Sequence, residues 1–537
     1  MRHALAAASF LLAATPLLAQ DPTPVLDSVF AQWNRTDAPG CTVGVDQNGT
    51  RTARAYGMAN LEYRVPLSPE SVVESGSVAK QFTAATVLIL AQQGKLSLDD
   101  DIHKYLPEVP DFGHRITIRS LLNHTSGIRD QWGLLALEGF PPGTEVHNFG
   151  RILDLVNHQQ RLNFMPGAEY LYSNTGYVLS AIIVQRVSGK PFAQFSQEEL
   201  FKPLGMSRTQ WRDDYRRVVP DRATAYAPAG TAWLQDMPFT MVHGNGGLLT
   251  TVGDMLTWNA ALDQGRIPGG AEAVRTLETR ARLNDGTEIS YALGLSVGKL
   301  RGVREVQHGG ATAGYRTFLA RYPDRKLSIA VFCNAANANP QAYTQQIAVT
   351  LLGLPKEESP PAPAQTIATS ELDPLAGTYR DSTADAFLIF AVRDGKLTAS
   401  GGGPSTPLVY LGDRRFWSSA AGSFQFERHG DRWQVVQTGE GRRRFAREVF
   451  DSSQVNRAEY VGKYRSSELD VTVELVQDGS ALVYKQRPAT RFTLVPVYPD
   501  GFRLQGQTIR FVRQSGRVTG FRVFAGRVRD LRYDRLD

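Results

Sequence analysis

The chain has 537 residues, 42% of them hydrophobic and 21% charged, the balance of a soluble globular protein with cores to bury. That length corresponds to about two to four domains. Lys plus Arg is 59 against 53 for Asp plus Glu, a net charge of +6, an excess too small to argue for nucleic acid, which leaves basic stripes interleaved with aromatics.

Arg2 and His3 give a positive start, Ala4 to Ala14 form an apolar run too short to span a bilayer, and Ala19 offers a cleavage point. Residues 1–20 are therefore expected to be a secretory signal, with Leu17 standing where a small residue is usual. The mature protein is expected in the periplasm or outside the cell. No later stretch is apolar and long enough for a membrane helix. Cys41 and Cys333 each sit in a strand-like run. An oxidising compartment would permit a bridge, but two small buried hydrophobes are the expectation. No Cys/His cluster has metal-ligand spacing, and neither a metal nor another cofactor is implied.

Ser77-Val-Ala-Lys80 opens a run in which Val78, Phe82, Ala85 and Ile89 share one helical face, and Gly94 supplies a stop. Residues three apart on a helix lie side by side, so the Lys80 amine reaches the Ser77 hydroxyl. A serine hydroxyl needs an adjacent base to attack a carbonyl, and lysine serves when burial lowers its pKa. The same pattern at Ser296-Val-Gly-Lys299 falls in a Gly-rich, strand-like segment and is read as chance. Tyr170 to Tyr177 is a loop leading into an apolar helix at Val178–Ile183. It presents Tyr172 and Asn174, a phenol for proton transfer and an amide to hold a carbonyl. His308-Gly-Gly-Ala311 precedes a strand pattern. Its glycines allow close backbone approach, and the Ala311 N–H can face an oxyanion. Each element taken singly also fits an ordinary role: a helix-capping serine, a buried tyrosine, a structural histidine.

Near Leu354 the chain changes character. Pro355 to Ala364 is Pro-rich and suits an extended linker. Short alternating runs separated by Asp-Gly and Ser-Gly turns follow. They repeat: Leu375-Ala-Gly-Thr-Tyr-Arg380 matches Tyr460-Val-Gly-Lys-Tyr-Arg465, Asp394-Gly395 answers Asp478-Gly479, and Phe424–Arg428 answers Ile509–Arg513. Each unit has strands enough for a small antiparallel barrel, and two units fit paired domains better than a solenoid. The frequent arginines are read as exposed strand faces and protected edges.

The three site elements in this order resemble the serine β-lactamase and penicillin-binding-protein superfamily, with its Ser-x-x-Lys, Tyr-x-Asn and Lys-or-His-x-Gly motifs. Ile116–Ile128, Pro203-Leu-Gly-Met206 and Gly246–Thr250 with Asp254-Met255 look like the same family. The resemblance covers roughly residues 25–353. It implies an α+β fold, a mainly antiparallel sheet flanked by helices plus an all-helical lobe, with the site between them. The expected domains are 21–353 for the hydrolase, 354–370 for the linker, and 371–450 and 456–537 for two barrel-like units. Ser77 would be the acylated nucleophile, Lys80 its partner and Tyr172 a proton-transfer group. Asn174, His308, Gly310 and Ala311 would bind substrate, with the Ser77 and Ala311 amides as oxyanion hole. Which of Lys80 and Tyr172 takes the first proton is left open.

His308 stands where many β-lactamases carry lysine, and a histidine has less charge to offer a substrate carboxylate. With the two tail units this resembles the three-domain D-aminopeptidases and implies action on D-amino-acid peptides, amides or esters. By the same analogy a loop of the last domain gates the pocket. A carboxylesterase and a β-lactamase or D,D-peptidase of the superfamily are alternatives. A non-catalytic penicillin- or envelope-binding protein is an alternative of another class. The expected partner is a small molecule or short peptide, with no nucleic acid and no membrane span; a homodimer is left open.

Overall fold

The computed structural model describes residues 21–355 and 367–536, apart from 384, 402–404, 419–421, 439–441 and 488–489. The expected signal segment and most of the Pro-rich linker lie outside the described residues. Among the described residues no helix is long and apolar enough to cross a membrane.

The fold is α+β. Six strands, β1 (Cys41–Gln47), β2 (Thr50–Tyr56), β3 (Ser296–Leu300), β4 (Val303–Thr312), β5 (Tyr315–Tyr322) and β6 (Leu327–Cys333), form an antiparallel sheet in the order β3-β4-β5-β6-β1-β2. The central strands β1 and β6 are almost wholly buried because helices cover both faces. Thr23–Val29 and Pro340–Leu351 share a core with Val43, Val45, Ile329 and Val331. On the other face Gly44 approaches Val252 and Leu256 so closely that a β-carbon there would touch both. The second Ser-x-x-Lys lies on β3, with Lys299 paired to Arg304 across an edge ladder and exposed.

The helical lobe contributes α1 (Lys80–Gln92), α2 (Gln131–Glu138) and α3 (Asn174–Ser188). Every residue of α1 from Lys80 to Leu90 is buried. The expected one-faced helix is in fact buried all round, and so is its first residue, a lysine. Gly94 follows the helix at φ 68°, the left-handed C-terminal stop that glycine suits.

Cys41 and Cys333 form a disulfide, which corrects the reading of two separate hydrophobes. They are directly opposite one another in the β1/β6 ladder, a juxtaposition that residues 292 apart in sequence do not announce.

The tail repeat is structural. Gly462–Ser466 through Val528–Leu536 close into an eight-stranded barrel. Gly377–Asp381 through Arg442–Arg447 form a nine-stranded sheet whose two end strands, Thr406–Pro407 and Val409–Gly412, are neighbours in the chain. Together they correspond to the single strand Thr490–Tyr498 of the second unit, so the first sheet also wraps round, meeting itself at Leu408. Matching contacts recur in both units. Tyr379 donates to Leu375 O as Tyr464 does to Tyr460 O, at 2.9 and 2.8 Å, and Arg447 caps Ala376 O as Arg535 caps Val461 O.

Candidate functional site

Ser77 lies in a 3-10 turn, Gly76–Ala79, that runs directly into α1. Gly76 has φ 52°, and a β-carbon on it would sit 2.6 Å from Ala311 N. Gly310 is equally constrained: its β-carbon would lie 2.1 Å from Ser75 O and 2.3 Å from Thr317 Oγ1. Thr317 Oγ1 donates to Ser75 O at 2.7 Å. Glycine at 310 therefore clears the turn that carries Ser77. The consequence is that β4 and the serine turn are pressed together, with Ser77 and Ala311 on one cleft.

Lys80 is fully buried. Its Nζ is 3.1 Å from Ser77 Oγ and donates to Asn174 Oδ1 at 2.9 Å and Asn245 O at 2.6 Å. Burial drives its pKa well below the usual 10.5; the Asp130 charge opposes this and the Arg527 charge adds to it. A neutral amine has two N–H donors and one lone pair. In that form, with Asn174 Oδ1 and Asn245 O taking the two donors, the lone pair would be left for the Ser77 hydroxyl.

Asn174 is the first residue of α3. Its backbone N and side-chain Nδ2 both donate to Asp130 Oδ2, at 2.7 and 2.8 Å. Asp130 Oδ1 meanwhile accepts from Trp132 N at 3.1 Å, capping α2. One carboxylate thus fixes the amide that holds Lys80. Tyr172 lies above Lys80, its ring centroid 4.8 Å from Nζ. Burial raises its pKa, opposed by a hydrogen bond with Ser77 and by the Arg527 charge, so the group is a phenol at neutral pH. His124, at φ 62°, packs on Tyr172 with ring centroids 4.1 Å apart and planes tilted by 37°. Ser173 N donates to its Nδ1 at 3.1 Å, which puts the proton on Nε2. Burial, then the charges of Lys80, His308 and Arg527, holds it neutral.

His308 Nδ1 donates to Gly309 O at 2.6 Å, and its Nε2 accepts from Tyr291 OH at 2.9 Å. Burial and then the Lys80 charge push its pKa down to about 4. Both ring nitrogens are engaged and the ring is uncharged, so this wall offers a substrate no cation. The cleft has a volume of 780 Å³, and Trp132, Met237, Phe239 and Phe318 give it an apolar side. Beneath the serine turn Glu74 and Arg212, 0% and 2% exposed, pair through two hydrogen bonds of 2.7 and 2.9 Å. Among the described residues no group of three His, Cys, Asp or Glu could hold a metal.

The C-terminal barrel reaches this site. Its last hairpin, Arg517–Ala525 with Val528–Leu536, turns at Gly526-Arg527, and Arg527 lines the cleft. The Arg527 guanidinium carbon is 4.6 Å from the Tyr172 ring centroid and Nη1 is 4.0 Å from Asp130 Oδ2. The hairpin is pinned to the helical lobe. Asn163 Nδ2 donates to Arg527 O at 2.9 Å, Arg529 N to Asn163 Oδ1 at 2.8 Å, and Arg529 pairs with Glu169 at 2.8 Å. Deeper in the same contact Arg129 and Glu468, 0% and 2% exposed, form an ion pair. The expected loop over the pocket is thus a hairpin tip.

Ser77, Tyr172, Asn174, His308, Gly310 and Ala311 all line this one cleft, with Lys80 buried behind Ser77. Sequence reading missed Asp130, Asn245, His124, Tyr291 and Arg527. Asp130 had a signal, an aspartate opening an apolar helical run, and Asn245 sits in the Gly-rich run Gly244–Gly247. Tyr291 and Arg527 had none, because each is brought in by tertiary packing alone.

Residues 26–353 match the family model described as Beta-lactamase. The whole chain is similar to the D-aminopeptidase of Gluconobacter oxydans (strain 621H), 27% identical over 95% of this chain and 98% of that one. Among solved structures, the octameric penicillin-binding protein homologue from Pyrococcus abyssi shares the fold, with TM-score 0.57 and 21% identity over 88% of this chain and 98% of that one. The D-amino acid amidase from Ochrobactrum anthropi SV3 does so with TM-score 0.53 and 20% identity, over 62% of this chain and 99% of that one. With the family model spanning more than half of its length, this chain belongs to the Beta-lactamase family, within the superfamily of serine β-lactamases and penicillin-binding proteins, and is a serine hydrolase.

Proposed function

We propose that the chain is an exported hydrolase that forms a covalent acyl-enzyme on Ser77 and acts on D-amino-acid peptides, amides or esters. The observation that carries this reading is the buried Lys80 amine, its Nζ 3.1 Å from Ser77 Oγ and within hydrogen-bond distance of Asn174 Oδ1 and Asn245 O. In acylation Lys80 takes the Ser77 proton as Oγ bonds to the carbonyl carbon. The carbonyl oxygen becomes an oxyanion facing the Ser77 and Ala311 N–H groups. Collapse breaks the bond to the leaving group, whose nitrogen or oxygen takes a proton from the Tyr172 hydroxyl. Tyr172 is restored by the proton held on Lys80. Water then attacks the ester by the same relay and frees Ser77. Lys80 is given the first proton in this reading because its Nζ lies 3.1 Å from Ser77 Oγ.

Preference for D-residues rests on the similarity to a D-aminopeptidase over nearly the full length and on the uncharged His308 wall. Export rests on the N-terminal pattern and on the Cys41–Cys333 disulfide, a bond of oxidising compartments. The test is labelling with a panel of activated D-aminoacyl esters followed by mass spectrometry of the digested protein. The acyl mass is expected on the peptide containing Ser77 and is lost in Ser77→Ala. Labelling elsewhere, or on no serine, overturns the reading. D-Aminoacyl p-nitroanilides and short-chain p-nitrophenyl esters are expected to turn over faster than a chromogenic cephalosporin.

A further inference from the structure

We propose that Arg527, delivered by the C-terminal barrel, anchors a carboxylate on the leaving-group side of the substrate. The inference rests on the acyl-transfer reading above, in which Tyr172 protonates the leaving atom. Arg527 lies 4.6 Å from the Tyr172 ring, so a negative charge bound to it belongs to the part of the substrate that departs.

The cleft holds three guanidinium groups, Arg212, Arg316 and Arg527. Arg212 is committed to Glu74. Arg316 Nη1 donates to Ala313 O and Tyr315 O at 2.6 and 2.7 Å. Arg527 is different. Its side chain is 48% exposed and its nearest carboxylate is Asp130 at 4.0 Å, beyond hydrogen-bond distance. Both oxygens of Asp130 already accept from Asn174 and Trp132. The Arg527 backbone is nevertheless fixed, its carbonyl accepting from Asn163 Nδ2 at 2.9 Å and from Asp130 N at 3.3 Å. A fork of N–H donors on a pinned hairpin, facing a cleft, is suited to bidentate carboxylate recognition. His308 offers no competing cation, for both ring nitrogens are engaged. The substrate class that follows is a short D-aminoacyl peptide whose residue after the scissile bond carries a free carboxylate.

The test compares kcat/KM within matched pairs on the full chain. One pair is D-alanylglycine and D-alanylglycine amide, followed by release of D-alanine. The other is 3-carboxyphenyl acetate and phenyl acetate, followed by release of the phenol. The wild type is expected to prefer the anionic member of each pair by about tenfold or more, the range of a charge-assisted hydrogen bond. Arg527→Ala should bring the ratio to near one, Arg527→Lys should keep part of it, and Arg527→Glu should invert it. A ratio taken within one variant is insensitive to the fraction folded. A wild-type ratio near one, or an unchanged ratio in Arg527→Ala, overturns the proposal. Cleavage of the esters alone overturns the D-peptide reading while the ester pair still decides on Arg527; turnover of neither pair overturns both.

Discussion

Asp130 ties the electrostatics of the site to its architecture, and a pH profile separates the two. Its carboxylate does two things: Oδ2 takes both Asn174 donors, and Oδ1 caps α2 through Trp132 N. Asparagine caps a helix about as well as aspartate, whereas alanine loses about 1 kcal/mol. Asparagine has one side-chain oxygen to offer where the carboxylate uses two, so Asp130→Asn can keep the cap only by leaving the Asn174 donors without their acceptor, and both Asp130→Asn and Asp130→Ala should lower the unfolding temperature. The two charge-assisted bonds are lost in either variant, a loss of about 1–3 kcal/mol in holding Asn174, and hence Lys80, in place. That corresponds to a fall of roughly ten- to a hundredfold in kcat/KM for Asp130→Asn. The pH profile gives an independent sign. The Asp130 charge favours the ammonium form of Lys80, so removing it lowers the Lys80 pKa further. The acid limb of kcat/KM, where Lys80 gains a proton, should move to lower pH. The assay is a pH series with a D-aminoacyl p-nitroanilide on wild type and both variants. An Asp130→Asn enzyme with wild-type kcat/KM and an unmoved acid limb would refute the reasoning.

Glu74→Gln leaves Arg212 buried without its carboxylate, and breaking a buried pair costs about 3–5 kcal/mol; denaturant unfolding should show it, and an unchanged midpoint would count against the pair. Cys333→Ser, or reduction, opens the Cys41–Cys333 bridge and should lower unfolding free energy by about 2–5 kcal/mol, measured with and without reductant. His308 and His243 are both held by burial at a pKa of about 4, against an ordinary 6.5. Below pH 6.5 the unfolded chain takes up these protons and the folded one does not. Stability is therefore lost as pH falls from 6.5 towards 4, by up to about 3 kcal/mol for each histidine. Urea titrations at pH 7 and pH 5 on the wild type and a His243→Gln variant should show the variant losing less; equal losses would rule His243 out.

What the sequence made legible was chemistry carried by local spacing. Ser77 and Lys80 are one turn apart, Tyr172 and Asn174 bracket a helix start, and the glycines after His308 mark a crowded strand. Those patterns work because neighbours in sequence are neighbours in space. Helix α1 shows the limit. Its periodicity was consistent with one buried face, yet a helix enclosed on all sides has no polar face to reveal it, and the burial of Lys80, on which its basicity depends, follows only from what packs around it. The disulfide is similar, for register between β1 and β6 is set by the whole sheet. Tyr291 and Arg527 meet the site across long stretches of chain, through contacts that no local pattern encodes.

The tail is tempting to remove as an appendage, and the packing argues against that experiment. The apolar core of the helical lobe is continuous with that of the last barrel, Leu134 and Leu137 lying in one cluster with Val528, Leu531 and Tyr533. Gly133 leaves room for Val528: a β-carbon there would come within 2.8 Å of Val528 Cγ2. Truncation after Leu354 would expose this surface and strip fully buried Arg129 of Glu468, a loss of about 3–5 kcal/mol from that pair alone. A truncated chain is therefore expected to aggregate or unfold at a lower denaturant midpoint, and any change in its substrate range would report on the helical lobe as much as on the cleft. Point changes at Arg527 leave the apolar contact and the Arg129–Glu468 pair intact, so they alone isolate what the barrel contributes to substrate choice. A truncated chain that unfolds at the wild-type midpoint would show that the two cores are independent and that the barrel acts on the cleft only through its hairpin tip.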